Sequence, residues 1–379
     1  MERIEVRNGI DNLSEADALL RGRRLGLATN PTGVDRNLVS TADILRERYD
    51  LVALYGPEHG IRGDAQAGDH VGSTVDRRTG LPVHSLYGGS RHLSAETAAG
   101  VDVLVFDMQD IGVRYFTYLY TLTNLMADCA ALGIPLVVLD RVNPLGGAVE
   151  GTLLDERFAS FVGKFAIPNR YGLTIGEFAR FVNGERGLGC DLHVVPCAGW
   201  RRSMWWSDTD LAWVPPSPNM PTTETALCYP GTCFIEGTNL SEGRGTARPF
   251  ELIGAPWLDA DDFAGELNAL ALPGVRFRPA HFQPWFSKHA GQPCHGVQVH
   301  VTDRNAFLPV RMGLALVAAA ARQPGFDWVE TNGRPFLDLL AGTDALRQPG
   351  FDGGRFLAEG AAAVQAYKAR AEKYMLYDM

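Results

Sequence analysis

The segment Gly56-Pro57-Glu58-His59-Gly60 places an acidic side chain and an imidazole between glycines, directly after an apolar run. Glycines let the backbone turn sharply, so a loop of this kind can present both side chains to a ligand. A carboxyl group partly withdrawn from water keeps its proton to higher pH, which suits proton donation near neutral pH. We therefore predict Glu58 as a catalytic acid and His59 as a substrate contact. The alternative is a solvated turn in which Glu58 pairs with Arg62.

Three further polar clusters follow apolar runs, at residues 29–33, 107–110 and 140–144. Their amides, carboxylates and arginine suit the hydroxyl groups of a sugar. We take the following residues from them as candidate substrate contacts: Asn30, Asp107, Gln109, Asp140, Arg141 and Asn143. Asp107, Asp110 and Asp140 also offer the hard oxygen ligands that a divalent cation prefers, so a metal-dependent hydrolase is a rival hypothesis. Helix capping is the structural alternative for each aspartate.

Residues 200–248 are rich in Pro, Trp, Asn and Gly and show little periodicity, which predicts a functional loop region. Two polar stretches lie within it, at 215–222 and 236–246. Glu236 is our choice for the second carboxylate that glycoside hydrolysis normally requires, with Glu242 as the other candidate. We predict further substrate contacts at Asn219, Asn239, Glu242 and Arg244.

Arginines near these clusters are candidates for binding a ligand anion, because a guanidinium matches a carboxylate with two parallel hydrogen bonds. They are Arg62, Arg114, Arg141 and Arg244. Tyr115 is the aromatic residue that we expect against a sugar face. Ion pairing within the protein is the structural alternative for each arginine.

The elements that must position these residues follow from the apolar pattern of the first half. Short apolar runs at 25–29, 51–55, 83–87, 101–107, 136–140 and 193–196 alternate with helical patterns, of which 118–132 is the clearest. This alternation predicts an α/β protein with a Rossmann-like parallel sheet, and the polar clusters lie at the carboxyl ends of its strands, where such sheets bind ligands. A smaller α+β unit should follow, with helices near 261–270, 310–322 and before residue 374, and strands near 275–278 and 296–301.

Composition excludes several classes of protein. The chain has 379 residues, 46% of them hydrophobic and 21% charged, with a net charge of −9 and no long basic run, so we expect no nucleic-acid partner. The fingerprints of dinucleotide, P-loop, zincin and serine-hydrolase sites are absent, and we predict neither a cofactor nor a metal. No stretch of eighteen apolar residues occurs, so we expect no membrane partner.

Two further expectations concern the cellular compartment. The first ten residues have neither an apolar core nor a cleavage site, so the chain as written is expected to stay in the cytoplasm, or to be exported if the native start lies upstream. The six cysteines are scattered and are expected to be mostly buried free thiols, although Cys228 and Cys233 are close enough in sequence to bridge a bend.

Taken together, the segments resemble the DUF1343 family, which is associated with exo-β-N-acetylmuramidases of the NamZ type. The matching stretches run in order through most of the chain, at residues 29–34, 56–63, 105–115, 140–144, 218–221, 236–246 and 374–377. The resemblance implies a Rossmann-like domain, residues 1–245, a smaller domain, residues 246–379, and a site in the cleft between them. It also implies a catalytic role for Glu58.

The implied substrate is a peptidoglycan-derived disaccharide or muropeptide in which N-acetylmuramic acid is linked β-1,4 to N-acetylglucosamine. Its lactyl group carries a carboxylate when no peptide is attached, and an arginine-lined cleft would distinguish it from N-acetylglucosamine. Glu58 would protonate the leaving oxygen while Glu236 attacks the anomeric carbon or activates water. A binding protein that holds muropeptides without cleaving them is a further alternative.

Overall fold

The apolar runs of the first half form one seven-stranded sheet. The computed structural model describes residues 5–58, 60–62, 74–88 and 91–378. The strands of this sheet are β1 (Arg24–Thr29), β2 (Asp50–Gly56), β3 (Thr74–Val75), β4 (Pro82–Ser85), β5 (Val103–Asp107), β6 (Leu136–Leu139) and β7 (Leu192–Val195). Their order is β3-β4-β2-β1-β5-β6-β7, and all neighbours pair in parallel except β3 with β4. The predicted α/β class is confirmed, and each predicted strand is present.

Both faces of the sheet are covered, which explains why its strands are apolar almost throughout. In β5, Leu104 and Phe106 belong to one hydrophobic core, whereas Val103 and Val105 belong to a second core on the opposite face. Side chains of a strand alternate between faces, so a strand covered twice has no polar side. The sheet is therefore a buried central layer, and only its ends reach solvent.

The helices complete both layers and the second domain. They are α1 (Asp17–Leu20), α2 (Thr41–Arg48), α3 (Tyr118–Leu132), α4 (Ile175–Arg186), α5 (Thr223–Thr232), α6 (Ala260–Ala269), α7 (Pro309–Ala320), α8 (Phe336–Ala341) and α9 (Gly353–Ala371). Helices α3 and α4 pack in the first core, and α1 and α2 pack in the second. The predicted helix 118–132 is confirmed at both ends, and Gly133 ends it with a φ of 68°.

The region predicted as a loop, residues 200–248, is only partly irregular. It contains α5 and a 3₁₀ helix, Cys233–Gly237, which follows α5 directly. Pro230 lies inside α5, and Pro230-Gly231 reads as a helix-breaking pair in the sequence. Gly231 allows α5 to pack closely on α7, because a Cβ atom at this position would lie 2.0 Å from the carbonyl oxygen of Pro309. Tertiary packing here overrides the local signal.

The second domain is built on a small antiparallel sheet. Its strands are β8 (Leu252–Ala255), β9 (Val275–Phe282) and β10 (Cys294–Val301), in the order β8-β10-β9. A two-stranded ribbon, β11 (Glu330–Thr331) and β12 (Arg334–Pro335), precedes α8. The predicted smaller α+β unit is therefore present. The first sheet ends at Val195 and the second begins at Leu252, and the boundary at residue 245 stays a prediction.

Arg114 joins the two parts of the chain. Its side chain is completely buried, and its guanidinium donates to the carbonyl oxygens of Thr152 and Ile167, both at 2.9 Å, and of Leu340 and Ala341, at 3.0 and 2.6 Å. Leu340 and Ala341 are the last two residues of α8, in the second domain. One buried cation thus holds four backbone carbonyls from both domains.

All six cysteines are buried and free, so Cys228 and Cys233 do not bridge. Within the described ranges, no helix has the length and apolar character needed to cross a bilayer.

Candidate active site

A cavity of about 300 Å³ lies where the carboxyl ends of β2, β4 and β5 meet the second domain. Both carboxylates predicted for acid-base chemistry, Glu58 and Glu236, line it. Its other lining residues are Tyr87, Arg91, Tyr115, Phe116, Thr117, Tyr118, Phe161, Val162, Ser217, Tyr229, Cys233, Arg244, Phe336 and Leu340. The carboxyl-end position is where open α/β sheets bind ligands, and we take this cavity as the candidate active site.

Glu58 reaches the cavity from the loop after β2 and is partly buried. The hydroxyl of Thr117, just before α3, donates to its Oε2 atom at 3.2 Å. Tyr87, which follows β4, also donates a hydrogen bond to Glu58. Burial, followed by the negative charge of Glu58, raises the pKa of Tyr87 to about 12, so the phenol keeps its proton. Glu58 is thus held by hydroxyl donors from two loops.

Glu236 reaches the cavity from the 3₁₀ helix after α5, with 19% of its side chain exposed. Arg244 lies between two carboxylates: its Nη2 atom is 3.3 Å from Oε1 of Glu236, and its Nε atom is 3.2 Å from Oε1 of Glu242. Lys288 lies 3.1 Å from the other oxygen of Glu242. We call these four residues the charge cluster; its two cations balance its two anions.

Charges within the cluster affect the pKa values of Glu236 and Arg244. Burial raises the pKa of Glu236, while the nearby charge of Arg244 opposes that rise and Glu242 adds to it. Burial opposes ionisation of Arg244 as well, but Glu236 and Glu242 raise the pKa of this guanidinium overall, so it remains a cation. Burial thus favours the protonated form of Glu236, while the charges of Arg244 and Lys288 favour its ionised form.

Lys288 also fixes the backbone that carries Glu236. Its ammonium group donates to the carbonyl oxygens of Ile235 at 3.0 Å and of Glu236 and Leu240, both at 3.1 Å. Three carbonyl acceptors together with the carboxylate of Glu242 satisfy this cation, which belongs to the loop between β9 and β10. The position of Glu236 therefore depends on a loop of the second domain.

Two other predicted residues, Tyr115 and Arg244, line the same cavity. Tyr115 donates its hydroxyl to the carbonyl oxygen of Pro230 and packs edge-on against Tyr229, with ring centroids 5.7 Å apart. Burial raises the pKa of Tyr115 well above its usual range. This residue forms part of the aromatic wall.

The predicted residues at the ends of β5 and β6 hold loops instead of lining the cavity. Asp107 and Arg141 form a buried ion pair with contacts of 2.5 and 2.9 Å, and Thr41 donates to the same carboxylate. Asp140 accepts from the hydroxyl of Thr174 and the amide of Gly176, both at 2.7 Å. Burial raises the pKa of Asp140 to about 6.

Gln109 and Asn143 are likewise turned toward the backbone. The amide of Gln109 donates to the carbonyl oxygens of Asp110 and Val142, at 2.6 and 2.8 Å. The amide of Asn143 donates to Leu173 at 2.9 Å. Both side chains are almost completely buried. The polar residues at these strand ends therefore hold the loops that connect the strands of the sheet.

The carboxylates proposed for a metal site are separately occupied by protein donors. Asp110 accepts from the amide of Gly112 at 2.6 Å and from the hydroxyl of Tyr171, whereas Asp107 and Asp140 have the partners given above. In the part of the chain that the structure describes, no group of three or more His, Cys, Asp or Glu side chains is arranged to hold a metal ion. The donor set of the rival hypothesis is not assembled.

The remaining predicted residues that the structure describes do not line the cavity. Arg62 pairs with Asp76 at 2.8 Å and not with Glu58, and it lines a separate depression together with Asn30. Arg114 is buried as described above. Glu242 does not line the cavity but pairs with Arg244 in the charge cluster. Asn239 donates to the carbonyl oxygen of Gly325 at 2.8 Å. Asn219 lines a neighbouring groove, and His59 falls outside the described residues.

Arg91 is a cavity residue that the sequence did not reveal. Its guanidinium carbon lies 3.9 Å from the ring centroid of Phe161 and 5.9 Å from that of Tyr87. Its Nε atom is buried and has no acceptor among the residues that the structure describes. Tyr87 could have been found, because it ends the predicted strand 83–87. Arg91 and Phe161 carry no local signal, since only the fold brings them together.

Comparisons with known proteins agree with this architecture along the whole chain. Two family models match in succession: exo-β-N-acetylmuramidase NamZ, N-terminal, over residues 25–224, and exo-β-N-acetylmuramidase NamZ, C-terminal, over residues 227–377. The peptidoglycan β-N-acetylmuramidase NamZ of Bacillus subtilis (strain 168) is 46% identical over 382 aligned positions, which cover 98% of this chain and 92% of that protein.

Solved structures give the same result. A crystal structure of a DUF1343 family protein from Bacteroides fragilis NCTC 9343 has 39% sequence identity and a TM-score of 0.88, and the match covers 100% of both chains. A second DUF1343 family protein of the same bacterium has 29% identity and a TM-score of 0.80, with 99% of both chains covered. The chain therefore belongs to the NamZ family of exo-β-N-acetylmuramidases, whose relatives of known structure are labelled DUF1343.

Proposed function

We propose that this protein is an exo-acting glycoside hydrolase that releases N-acetylmuramic acid from the non-reducing end of β-1,4-linked peptidoglycan fragments. The observation that carries the proposal is the convergence of Glu58, from the large sheet, and Glu236, from the second domain, on one cavity. Two carboxyl groups on either side of a glycosidic bond are what hydrolysis of that bond requires. Family membership supports the same reaction.

In the proposed mechanism Glu58 is the acid. Its proton passes to the glycosidic oxygen while the bond between that oxygen and the anomeric carbon breaks, and N-acetylglucosamine leaves as an alcohol. Thr117 and Tyr87 orient the carboxyl group through their hydroxyl groups. Tyr87 remains protonated across the neutral range, so it stabilises the carboxylate that Glu58 becomes.

Glu236 is the second group in this proposal. As a carboxylate it either attacks the anomeric carbon, forming a glycosyl-enzyme bond that water later cleaves, or removes a proton from the attacking water. The first route retains the anomeric configuration and the second inverts it. Arg244 favours the ionised form that either route needs. The configuration of the first-formed product, followed by NMR, distinguishes the two routes.

Two arginines of the cavity, Arg91 and Arg244, are candidates for recognising the muramic acid. Arg244 is engaged by Glu236 and Glu242, whereas the Nε–H group of Arg91 lacks an acceptor among the described residues. A buried donor without an acceptor is costly, and a bound carboxylate removes that cost. We therefore propose that Arg91, held flat on Phe161, binds the lactyl carboxylate that distinguishes muramic acid from glucosamine.

The test is incubation with the disaccharide N-acetylmuramyl-β-1,4-N-acetylglucosamine, followed by identification of the products by mass spectrometry. Wild-type protein should release both monosaccharides, and Glu58→Gln should lower kcat by roughly 10²–10⁴-fold while leaving the fold intact. The exposed Glu96, replaced by Gln, is the matched control.

Each contrary result has a distinct meaning. Near-normal turnover by Glu58→Gln removes Glu58 from the mechanism. Binding of the disaccharide without release of sugar indicates a muropeptide-binding protein. Loss of wild-type activity on exhaustive chelation, restored by a divalent cation, supports the metal-dependent alternative.

A further inference from the structure

An open groove of about 640 Å³ lies beside the cavity, and it displays the side chain of Trp285. Trp285 is 88% exposed, and Phe286 next to it is 43% exposed. An indole left in water forfeits a large free energy of burial, so paired exposed aromatics of this size mark a surface that binds something.

The lining of the groove adjoins the lining of the cavity at two places in the chain. Ser217 lines the cavity, and Pro218 and Asn219, which follow it in the chain, line the groove. On the other side, Arg244 lines the cavity and Gly245 lines the groove. A ligand too long for the cavity therefore has its next units beside Trp285.

The loop that displays Trp285 is anchored at several points. The amide of Trp285 donates to the carbonyl oxygen of Gly245 at 2.9 Å. Gly245 has a φ of 79°, and a Cβ atom there would lie 2.6 Å from the carbonyl oxygen of Phe286, so only glycine allows this approach. Lys288 binds the carbonyls around Glu236, and the ring of His289 lies 2.7 Å from the carbonyl oxygen of Asn239. The indole is presented from a backbone tied to the charge cluster.

Asn219 supplies a polar contact in the same groove. Only 5% of this residue is exposed, and its amide nitrogen has no acceptor within the described ranges. A buried amide donor requires an acceptor, and the carbonyl oxygen of an acetamido group or a sugar hydroxyl provides one. Among the described residues that line the groove, none carries a charge. The apolar face of a sugar ring, with neutral hydroxyl and acetamido groups around it, matches this lining.

We propose that the groove binds the sugars that follow the first N-acetylglucosamine on the reducing-end side of the scissile bond, with one of these β-1,4-linked amino sugars stacked on Trp285. This inference rests on the proposed function, because the cavity must hold the terminal muramic acid for the chain to extend into the groove. The groove would make the protein select longer glycan fragments over the disaccharide.

The experiment compares N-acetylmuramyl-β-1,4-N-acetylglucosamine with the tetrasaccharide made of two such units. Wild-type protein should cleave the tetrasaccharide with a higher kcat/KM than the disaccharide. Trp285→Ala should lower kcat/KM on the tetrasaccharide about tenfold, mainly through KM, and reduce the preference for it, whereas Trp285→Phe should keep most of it. Leu270→Ala, which removes another exposed apolar side chain that lines neither the groove nor the cavity, should change neither value.

Contrary results are separable. If Trp285→Ala lowers kcat/KM equally on both substrates, or on neither, the groove proposal is overturned while the hydrolase proposal stands. If wild-type protein releases sugar from neither substrate, the hydrolase proposal fails. The groove proposal is then tested by calorimetry. Binding of the tetrasaccharide at least tenfold tighter than the disaccharide, with this difference lost in Trp285→Ala, supports the proposal. Equal binding of the two sugars overturns it.

Discussion

The guanidinium of Arg244 lies 3.3 Å from the carboxylate of Glu236, at the wall of the candidate active site. The same guanidinium contacts Glu242 at 3.2 Å and lies over the ring of Phe250, with 5.0 Å between its carbon and the ring centroid. Contacts on two sides hold Arg244 in place. Its charge is therefore available to Glu236 at a fixed distance, where it opposes the rise in the pKa of Glu236 that burial causes.

Replacing Arg244 by Gln should move the acidic limb of the pH dependence of kcat to higher pH. Burial raises the pKa of Glu236, and Arg244 opposes that rise, so the pKa climbs further without the guanidinium. Because Glu236 acts as a carboxylate in the proposed mechanism, activity is lost as pH falls through its pKa. The shift is toward higher pH because the positive charge that favours the ionised form of Glu236 is removed. Arg62→Gln, which removes an arginine paired with Asp76 outside the cavity, is the control. An unmoved acidic limb in Arg244→Gln contradicts the role assigned to Glu236.

Replacing Arg91 by Gln should lower kcat/KM selectively for substrates with a free lactyl carboxylate. Hydrogen bonds to a charged group contribute enough that we expect a loss of about tenfold or more. The same substrate with its lactyl group converted to an amide should be cleaved equally by the variant and the wild type. Arg186→Gln is a matched control, since its guanidinium carbon also lies over a phenylalanine ring, 5.5 Å from the centroid of Phe165, but outside the cavity. Equal losses on both substrates would assign Arg91 a purely structural role.

Replacing Arg114 by Met should destabilise the protein by about 3 kcal/mol or more, because four buried carbonyl oxygens lose their donor. Urea unfolding measures this loss, and Arg355→Met, at an exposed position, should be nearly neutral. Burial lowers the pKa of Arg114 to about 10, which shows how far this group is removed from water. If Arg114 were instead a substrate contact, the same replacement would raise KM and leave the stability unchanged.

Asp110 should make the protein less stable as pH rises. Burial raises the pKa of its carboxyl group to about 7, against an ordinary value of 3.8, so the folded state retains a proton that the unfolded state releases. The stabilisation is complete below about pH 4 and is lost progressively up to about pH 7, above which both states are ionised. Asp110→Asn copies the protonated form. Its free energy of unfolding relative to wild type should therefore rise between pH 4 and pH 7, as measured by urea unfolding at several pH values. A difference that stays constant over this range contradicts the assignment.

Much of the fold follows from local patterns. The apolar runs that became β1, β2 and β4–β7 are continuous because both faces of the sheet are covered, and α3 is recognisable from its helical spacing. The loop after β2 is polar and contains Gly and Pro, so Glu58 stands out in sequence, and Glu236 stands out at the start of the polar stretch 236–246. Helix α5 was hidden by Pro230-Gly231, because a local rule cannot anticipate its packing on α7.

The amino-acid pattern alone predicts the class of the fold, the family resemblance and the two carboxylates that line one cavity. Which polar groups face that cavity depends on how distant segments of the chain pack. Asp107, Arg141 and Arg114 looked like ligand contacts but turn inward to one another or to carbonyls, while Arg91 and Trp285, silent in sequence, face open space. The physical reason is that a side chain's partner is set by which segments pack around it, and those segments lie tens to hundreds of residues away.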